Sequence, residues 1–362
     1  MATVFFTGFP GFLGSELLPR VLARDESLGA ICLVQPKFTD LARERIEELR
    51  GRFPQVAERV RIVGGDITSA SFGLQDISGI TEGVTEIFHL AAIYDLSVGR
   101  ELAMRVNVDG TRNVIAFAKS CPSLTRLHYV STCYVSGRYP GIFTEAHLEE
   151  GQKFNNFYEE TKFLAEVEVQ RAMRAGLPAT IYRPAIVVGD SVTGVTQKFD
   201  GPYFAIQWLL RQPSIAMMPV VGDPRKTEFN VVPRDFILDA ISYLSSLPQS
   251  RGEVFNLADP EPLTVDELLG ELARATTRQI VRLPLPLGIA KGAIQRVPGV
   301  YRLLKIPASS VDYLVHPTRY GTERTRSFLE PAGIRVPPFP SYVDRLVSFV
   351  RSHPEIGSAA MV

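Results

Sequence analysis

The sequence predicts an α/β chain built on a doubly wound parallel sheet, and three observations carry that reading. Residues 3–18, TVFFTGFPGFLGSELL, pass from strand through glycine turn to helix start without interruption. Apolar strand-like runs recur at 30–34, 60–63, 86–91, 126–130 and 179–182 with helical stretches between them, the alternation of a parallel sheet. Tyr158 and Lys162 then stand four apart at a helix start, after a run that ends in the hydroxyl residues Ser131 and Thr132. No repeat of fixed period and no low-complexity tract interrupts the pattern, so one sheet accounts for about the first half.

In the first element Val4, Phe5 and Phe6 supply a short apolar run, and from Ser15 to Leu22 the apolar residues fall at helical spacing. Gly8, Gly11 and Gly14 lie between. The first permits a tight turn, the second lets backbone approach a phosphate, and the third brings helix close to strand. The helix start offers free N–H groups and the positive end of its dipole to an anion. The turn of Thr7, Gly8, Phe9, Pro10, Gly11, Phe12, Leu13 and Gly14 is therefore expected to hold a dinucleotide pyrophosphate in a Rossmann-type sheet.

Such a site commonly carries an acid at the end of the second strand for the ribose 2′-hydroxyl. Here the strand runs out in Leu33, Val34, Gln35, Pro36 and Lys37, with no acid. Lys37, with Arg43 or Arg45 a helical step further, could meet a 2′-phosphate, which favours NADPH over NADH. Solvated charge at a helix start is the alternative. Asp66, followed by Ile67, could accept from the adenine amino group or act as a plain turn residue.

The chemistry-bearing residues come next. Tyr158 and Lys162 project from one helix face about one turn apart. An ammonium beside a phenol favours the phenolate, so the Tyr158 pKa is expected to fall toward working pH and make the hydroxyl a usable acid or base. Thr132, with Ser131 as fallback, can hold a substrate oxygen. Cys133 could attack a thioester, but extended backbone turns it to the face opposite Thr132 and no His stands near it in sequence.

Taken together, these pieces resemble the extended short-chain dehydrogenase/reductases over most of the chain. They are Thr7 to Gly14, His89-Leu90-Ala91-Ala92, Asn107-Val108-Asp109-Gly110-Thr111, the Thr132, Tyr158 and Lys162 set, and Arg183-Pro184. The resemblance implies that Tyr158 is the proton donor or acceptor, that Lys162 binds the nicotinamide ribose and tunes Tyr158, and that Thr132 polarises a carbonyl. It places Pro184, Ala185 and Ile186 against the nicotinamide and Leu90, Ala91, Ala92 and Val130 among the cofactor-binding residues. Asn107 would sit on the helix behind the site, a helix-start cap being its alternative. The Gly11-Phe12-Leu13-Gly14 ending of the turn, Val130-Ser131-Thr132 and the tail from Val311 look most like the fatty acyl-CoA reductase and thioester reductase group of the male-sterility type. That group usually has Arg where Gln35 stands.

Beyond Gly189 the character changes. Residues 201–219 are apolar, aromatic and Met-containing, suited to the wall of an apolar substrate site or to the core of a second lobe. Val231 to Ile241 resembles the short strand and helix that extended members place near the domain junction, and 254–257 reads as one more sheet strand. The expected organisation is a nucleotide-binding domain of 1–190 and 226–258 interleaved with a mostly helical substrate domain of 191–225 and 259–362. From Leu272 to Val311 no acid occurs, while Arg274, Arg278, Arg282, Lys291, Arg296, Arg302 and Lys305 do. That stretch could receive coenzyme A phosphates, an acidic carrier face or an anionic membrane surface, or be solvated and paired. Residues 342–350 read as a final amphipathic helix, and those after Pro354 as loose.

Composition bounds the rest. The 362 residues are 45% hydrophobic and 22% charged, with 39 basic against 39 acidic side chains, so no global field argues for nucleic acid. Three cysteines without paired spacing fit reduced thiols in a cytoplasm, and neither a signal peptide nor a spanning apolar run is expected. The reading that results is an NADPH-dependent reductase of an apolar acyl thioester, on coenzyme A or a carrier protein, giving aldehyde and, with a second hydride, alcohol. The protein would be a monomer or dimer in lipid metabolism, with no metal. A 3β-hydroxysteroid or other alcohol dehydrogenase, a sugar-nucleotide epimerase or dehydratase, and a non-catalytic dinucleotide sensor are the alternatives.

Overall fold

A computed structural model describes residues 2–289, 292 and 308–357 of the chain. Its centre is a parallel sheet of β1 (Thr3–Thr7), β2 (Gly29–Val34), β3 (Val60–Gly64), β4 (Val84–His89), β5 (Arg126–Val130), β6 (Ala179–Pro184) and β7 (Val254–Leu257). The strand order is β7-β6-β5-β4-β1-β2-β3, so each expected run finds its strand and the order reverses between β1 and β4. That reversal opens a crevice at the C-terminal strand ends.

Successive residues face opposite sides of the sheet, and both sides are covered. Val4, Phe6, Cys32, Phe88, Tyr182 and Phe255 meet Leu17, Val21, Ile237 and Ile241 on one side. Phe5, Ile31, Ile87, Leu127, Tyr129 and Ile181 meet Val114, Phe117, Ala165 and Val169 on the other. Cys32, Cys121 and Cys133 are buried free thiols.

The fourth strand stops at His89, two residues short of the expected run. Gly8 bends the chain out of β1, and Leu90 N–H donates to the Thr7 carbonyl at 3.1 Å while Ala91 N–H donates to Thr7 Oγ1 at 3.3 Å. Residues 90–92 are thereby drawn along the glycine turn instead of continuing the ladder.

A second core gathers the helices Pro202–Leu210, Val265–Thr276 and Val343–Ser352 through Tyr203, Ile206, Leu209, Leu268, Leu272, Val343 and Leu346. Thr264 and Glu267 close a capping box at the second of these helices. Tyr203, Ile206, Leu209 and Met218 of the apolar segment are interior residues of this core, while Met217 is 53% exposed. Residues 318–336 depart from the expected boundary. The strand Thr318–Tyr320 pairs with Gly141–Phe143, and Phe328, Leu329, Ile334 and Val336 pack on the first core.

The basic stretch is largely self-satisfied where it is described. Arg274 pairs with Glu271 and Asp344, Arg282 with Asp266, and Arg278 donates to the Gln212 carbonyl. Lys291, Arg296, Arg302, Lys305 and residues 358–362 lie outside the described residues. Among the described residues no helix is long and apolar enough to cross a membrane.

Candidate active site

The crevice is floored by the glycine turn. Gly8 has φ +93°, and a Cβ there would come within 2.8 Å of the Ala91 nitrogen. A Cβ on Gly11 would meet the Gly8 carbonyl at 2.8 Å, the same oxygen that accepts from Gly11 N–H at 2.9 Å. Any side chain would fill this cradle, and the helix Gly14–Leu22 starts directly over it. The geometry fits a dinucleotide pyrophosphate. Beneath it Thr7 Oγ1 hydrogen-bonds His89 Nδ1 at 2.7 Å, and His89 Nε2 meets Thr111 Oγ1 at 3.0 Å. Burial holds His89 down at about 3, so it is a neutral strut.

At the ends of β2 and β3 Gln35 Nε2 donates to Asp66 Oδ2 at 3.0 Å, and Asp66 Oδ1 accepts from Thr68 N–H at 2.8 Å. Asp66 thus makes the Asx turn that was its plain reading, while Gln35 ties the ends of β2 and β3 together. Ile67 is buried, its carbonyl accepting from Asn113 Nδ2 at 2.7 Å. Lys37 is exposed, its ammonium 4.9 Å from the Phe38 ring centre. Arg43 pairs with Asp40 and Arg45 with Glu48. Of the expected cations, Lys37 alone lies on the turn that directly follows β2.

Asn107 is neither a cap nor open to a ligand. It lies in a π-helical turn at Met104–Asp109, where it accepts from Ile93 N–H at 2.9 Å and donates to the Ile93 carbonyl and Thr161 Oγ1 at 3.1 and 3.0 Å. Both amide hydrogens are used. Its place is to fasten the loop after β4 to the helix Phe157–Arg174.

That helix is capped by Asn156, which accepts from Glu159 N–H at 3.0 Å and donates to the Tyr313 hydroxyl at 3.0 Å, a residue of the second core. Tyr158 follows two residues later, its hydroxyl on the Thr132 side of the crevice. Thr132 Oγ1 also touches the Pro184 carbonyl and Tyr134 N–H, each at 3.3 Å. Pro184 leads into Ala185, whose N–H donates to Leu257, and Ile186, which donates to Asn230. Thr132, Tyr158 and 184–186 therefore converge on one edge of the crevice.

Lys162 departs from the expectation. Its ammonium donates to the Val130 carbonyl at 2.8 Å and the Tyr129 hydroxyl at 3.0 Å, not to Tyr158. Burial therefore dominates Tyr158, pushing the phenol up, with the nearby Thr132 hydroxyl opposing and Glu159, Tyr94 and Asp200 adding to the rise. The predicted lowering does not occur. Burial also brings Lys162 down to about 7, opposed by Glu166 one turn along.

Ser131 is turned away from the crevice. It donates to Glu166 Oε2 at 2.5 Å, and Glu166 is ion-paired at 2.6 Å with Arg183, both fully buried. The reason is strand alternation: with Thr132 toward Tyr158, its neighbours face the rear. Cys133 is fully buried, its thiol donating to the Arg183 carbonyl at 3.0 Å and pushed up by burial.

Three residues near Tyr158 escaped the sequence. Lys198 pairs with Asp200 and sits 4.0 Å from the Tyr94 ring centre. Burial and Asp200 push Tyr94 up to about 12. Isolated in sequence, they carry no spacing signal.

The pattern of the male sterility protein family, an NAD-binding family, matches residues 6–241. The chain belongs to that family. As a male sterility family member it is 26% identical over 274 residues to the nonribosomal peptide synthetase asaC of Aspergillus flavus, a match covering 72% of this chain and 26% of that protein. It is 27% identical over 301 residues to the aldehyde reductase lnaA of the same organism, covering 76% and 28%. The chain spans about a quarter of the length of the curated relatives it matches. The solved terminal R domain from the myxalamid PKS-NRPS biosynthetic pathway superposes with a TM-score of 0.81 at 26% identity, covering 99% of this chain and 93% of that one. This male sterility family chain is an NAD(P)-dependent oxidoreductase of the extended short-chain dehydrogenase/reductase type, and its cofactor is a nicotinamide dinucleotide.

Proposed function

We propose that the chain reduces an apolar acyl thioester, held on a carrier protein, to an aldehyde with NADPH. The observation that supports this best is the convergence of Thr132, Tyr158 and residues 184–186 on the edge of a glycine-floored crevice, with Lys162 buried behind it at Val130. The relatives add weight, since one is a nonribosomal peptide synthetase and another a terminal R domain from a PKS-NRPS biosynthetic pathway. NADPH is favoured over NADH by Lys37 and by the absence of an acid at the end of β2.

When bound, the nicotinamide supplies a hydride to the carbonyl carbon. Thr132 holds the oxygen on which charge develops. Tyr158, protonated through neutral pH, gives that oxygen its proton. The resulting hemithioacetal breaks its carbon–sulfur bond, its hydroxyl proton passing to the sulfur, and aldehyde and thiol leave. Lys162 holds the cofactor ribose and the end of β5 in register.

The test is NADPH oxidation by the purified chain with an acyl-pantetheine thioester, the same acyl group on a carrier protein, the matching aldehyde, and NADH as control. Oxidation with the thioester, faster on the carrier and lost in Tyr158→Phe, is the expected result. Turnover of the aldehyde alone would replace the proposal with a carbonyl reductase, and silence on all three would sink it.

A further inference from the structure

Arg234 is an unpaired cation built against the glycine turn. It opens the helix Arg234–Ser246, its N–H donating to the Gly189 carbonyl at 3.3 Å. The residue is 7% exposed, and its Nε is buried without a hydrogen-bond partner. The guanidinium carbon lies 5.1 Å from the ring centre of Phe12, a residue of the turn itself.

The acids around it are committed elsewhere. Glu16 accepts from Arg52 at 2.8 and 3.1 Å. Asp190 Oδ1 accepts from Val192 N–H, Thr193 N–H and Thr193 Oγ1. Asp235 holds Ser191 through both carboxylate oxygens. Arg20 adds like charge nearby. Among the described residues no carboxylate lies within ion-pair distance of Arg234. A buried guanidinium without a partner is costly, and an anion held at the turn would relieve that cost.

We propose that Arg234 is a ligand of the dinucleotide pyrophosphate, adding a side-chain cation to the backbone cradle of Gly8, Gly11 and Gly14. This rests on the cofactor reading, not on the identity of the substrate. The rival role is purely structural, a guanidinium stacked on Phe12.

Calorimetric titration of the wild type and Arg234→Met separates the two. The probes are NADPH, NADH, ADP-ribose, which keeps the pyrophosphate without nicotinamide, and 2′-AMP, which has no pyrophosphate. The variant is expected to bind NADPH, NADH and ADP-ribose about tenfold or more weakly, with 2′-AMP unchanged, as for loss of a charge-assisted hydrogen bond. Its affinity should also depend less steeply on salt. Unchanged affinity for all four probes with a lowered melting temperature would overturn the proposal in favour of the stack, and an equal loss for 2′-AMP would overturn it as not specific to pyrophosphate. If Arg234→Met does not fold, the same titrations on Arg234→Gln decide. A wild type that binds no dinucleotide would overturn the cofactor reading and this role together, whereas a variant matching a competent wild type overturns this role alone.

Discussion

The Lys162 ammonium donates to the Tyr129 hydroxyl at 3.0 Å, so the lysine of the Tyr158/Lys162 helix face is held by the strand in front of it and not by its helical neighbour. The cation lies 4.5 Å from the centre of the Tyr129 ring as well. Two groups one turn apart are thus tuned separately. Burial keeps the phenol protonated and takes the ammonium toward its neutral form.

That separation sets the pH dependence. Lys162 is lowered from 10.5 to about 7, while Tyr158 is raised. As pH rises through about 7 the ammonium is lost and the phenol is not, so cofactor affinity and kcat/KM should decline on the alkaline side. Lys162→Arg, charged throughout, should flatten that limb. Between about 7 and 10.5 the unfolded chain binds one proton more at this position than the folded one, so stability of the cofactor-free protein should rise with pH there. Chemical denaturation across that window should lose this contribution in Lys162→Met.

Tyr158→Phe removes one hydroxyl and leaves the helix and the packing of Thr132 in place. Rate should fall by roughly 10²–10⁴-fold, the range of a lost general acid. Dinucleotide affinity, measured by fluorescence titration, should stay within about twofold.

Ser131→Ala should behave in the opposite way. It takes one partner from the buried Glu166–Arg183 pair, costing about 1–2 kcal/mol in denaturant unfolding with turnover nearly unchanged. Arg183→Met leaves Glu166 buried and unpaired, and should cost about 3–5 kcal/mol.

Gly8→Ala places a Cβ 2.8 Å from the Ala91 nitrogen at a φ of +93°. The Leu90–Ala91 backbone must move, and with it the wall of the crevice. Loss of dinucleotide binding in titration is expected, together with a lower melting temperature. Gly64→Ala, where nothing lies within 4 Å of the added carbon, is the control.

Lys37→Ala should weaken NADPH binding several-fold and leave NADH binding unchanged, since an exposed ammonium contributes a screened point charge. Equal loss for both dinucleotides would remove Lys37 from the 2′-phosphate site.

Much of this architecture was legible in residue order because strand, turn and helix periodicity are local properties. The β5 and β7 bounds coincide with runs 126–130 and 254–257, and the helix at Tyr158 begins where Asn156 can cap it. The site was legible as a set of residue types, less so as directions. Ser131 and Thr132 look alike in sequence, and only the pleat decides which faces Tyr158. Lys162 was misjudged because its partners, Tyr129 and Val130, come from another element and local spacing cannot show them. Lys198, Asp200 and Tyr94 meet through tertiary packing alone. So does Arg234, which lies 222 positions from Phe12 in the chain.

The hydrogen bond between Asn156 and Tyr313 has a consequence for how such chains can be recombined. The first turn of the helix that bears Tyr158 is anchored by a residue from the other core. A foreign lobe spliced in at the apparent boundary would arrive without that anchor and would unsettle Tyr158 even if every contact to the glycine turn survived. Position 313 therefore belongs, as a design unit, with the residues it follows by 157 positions.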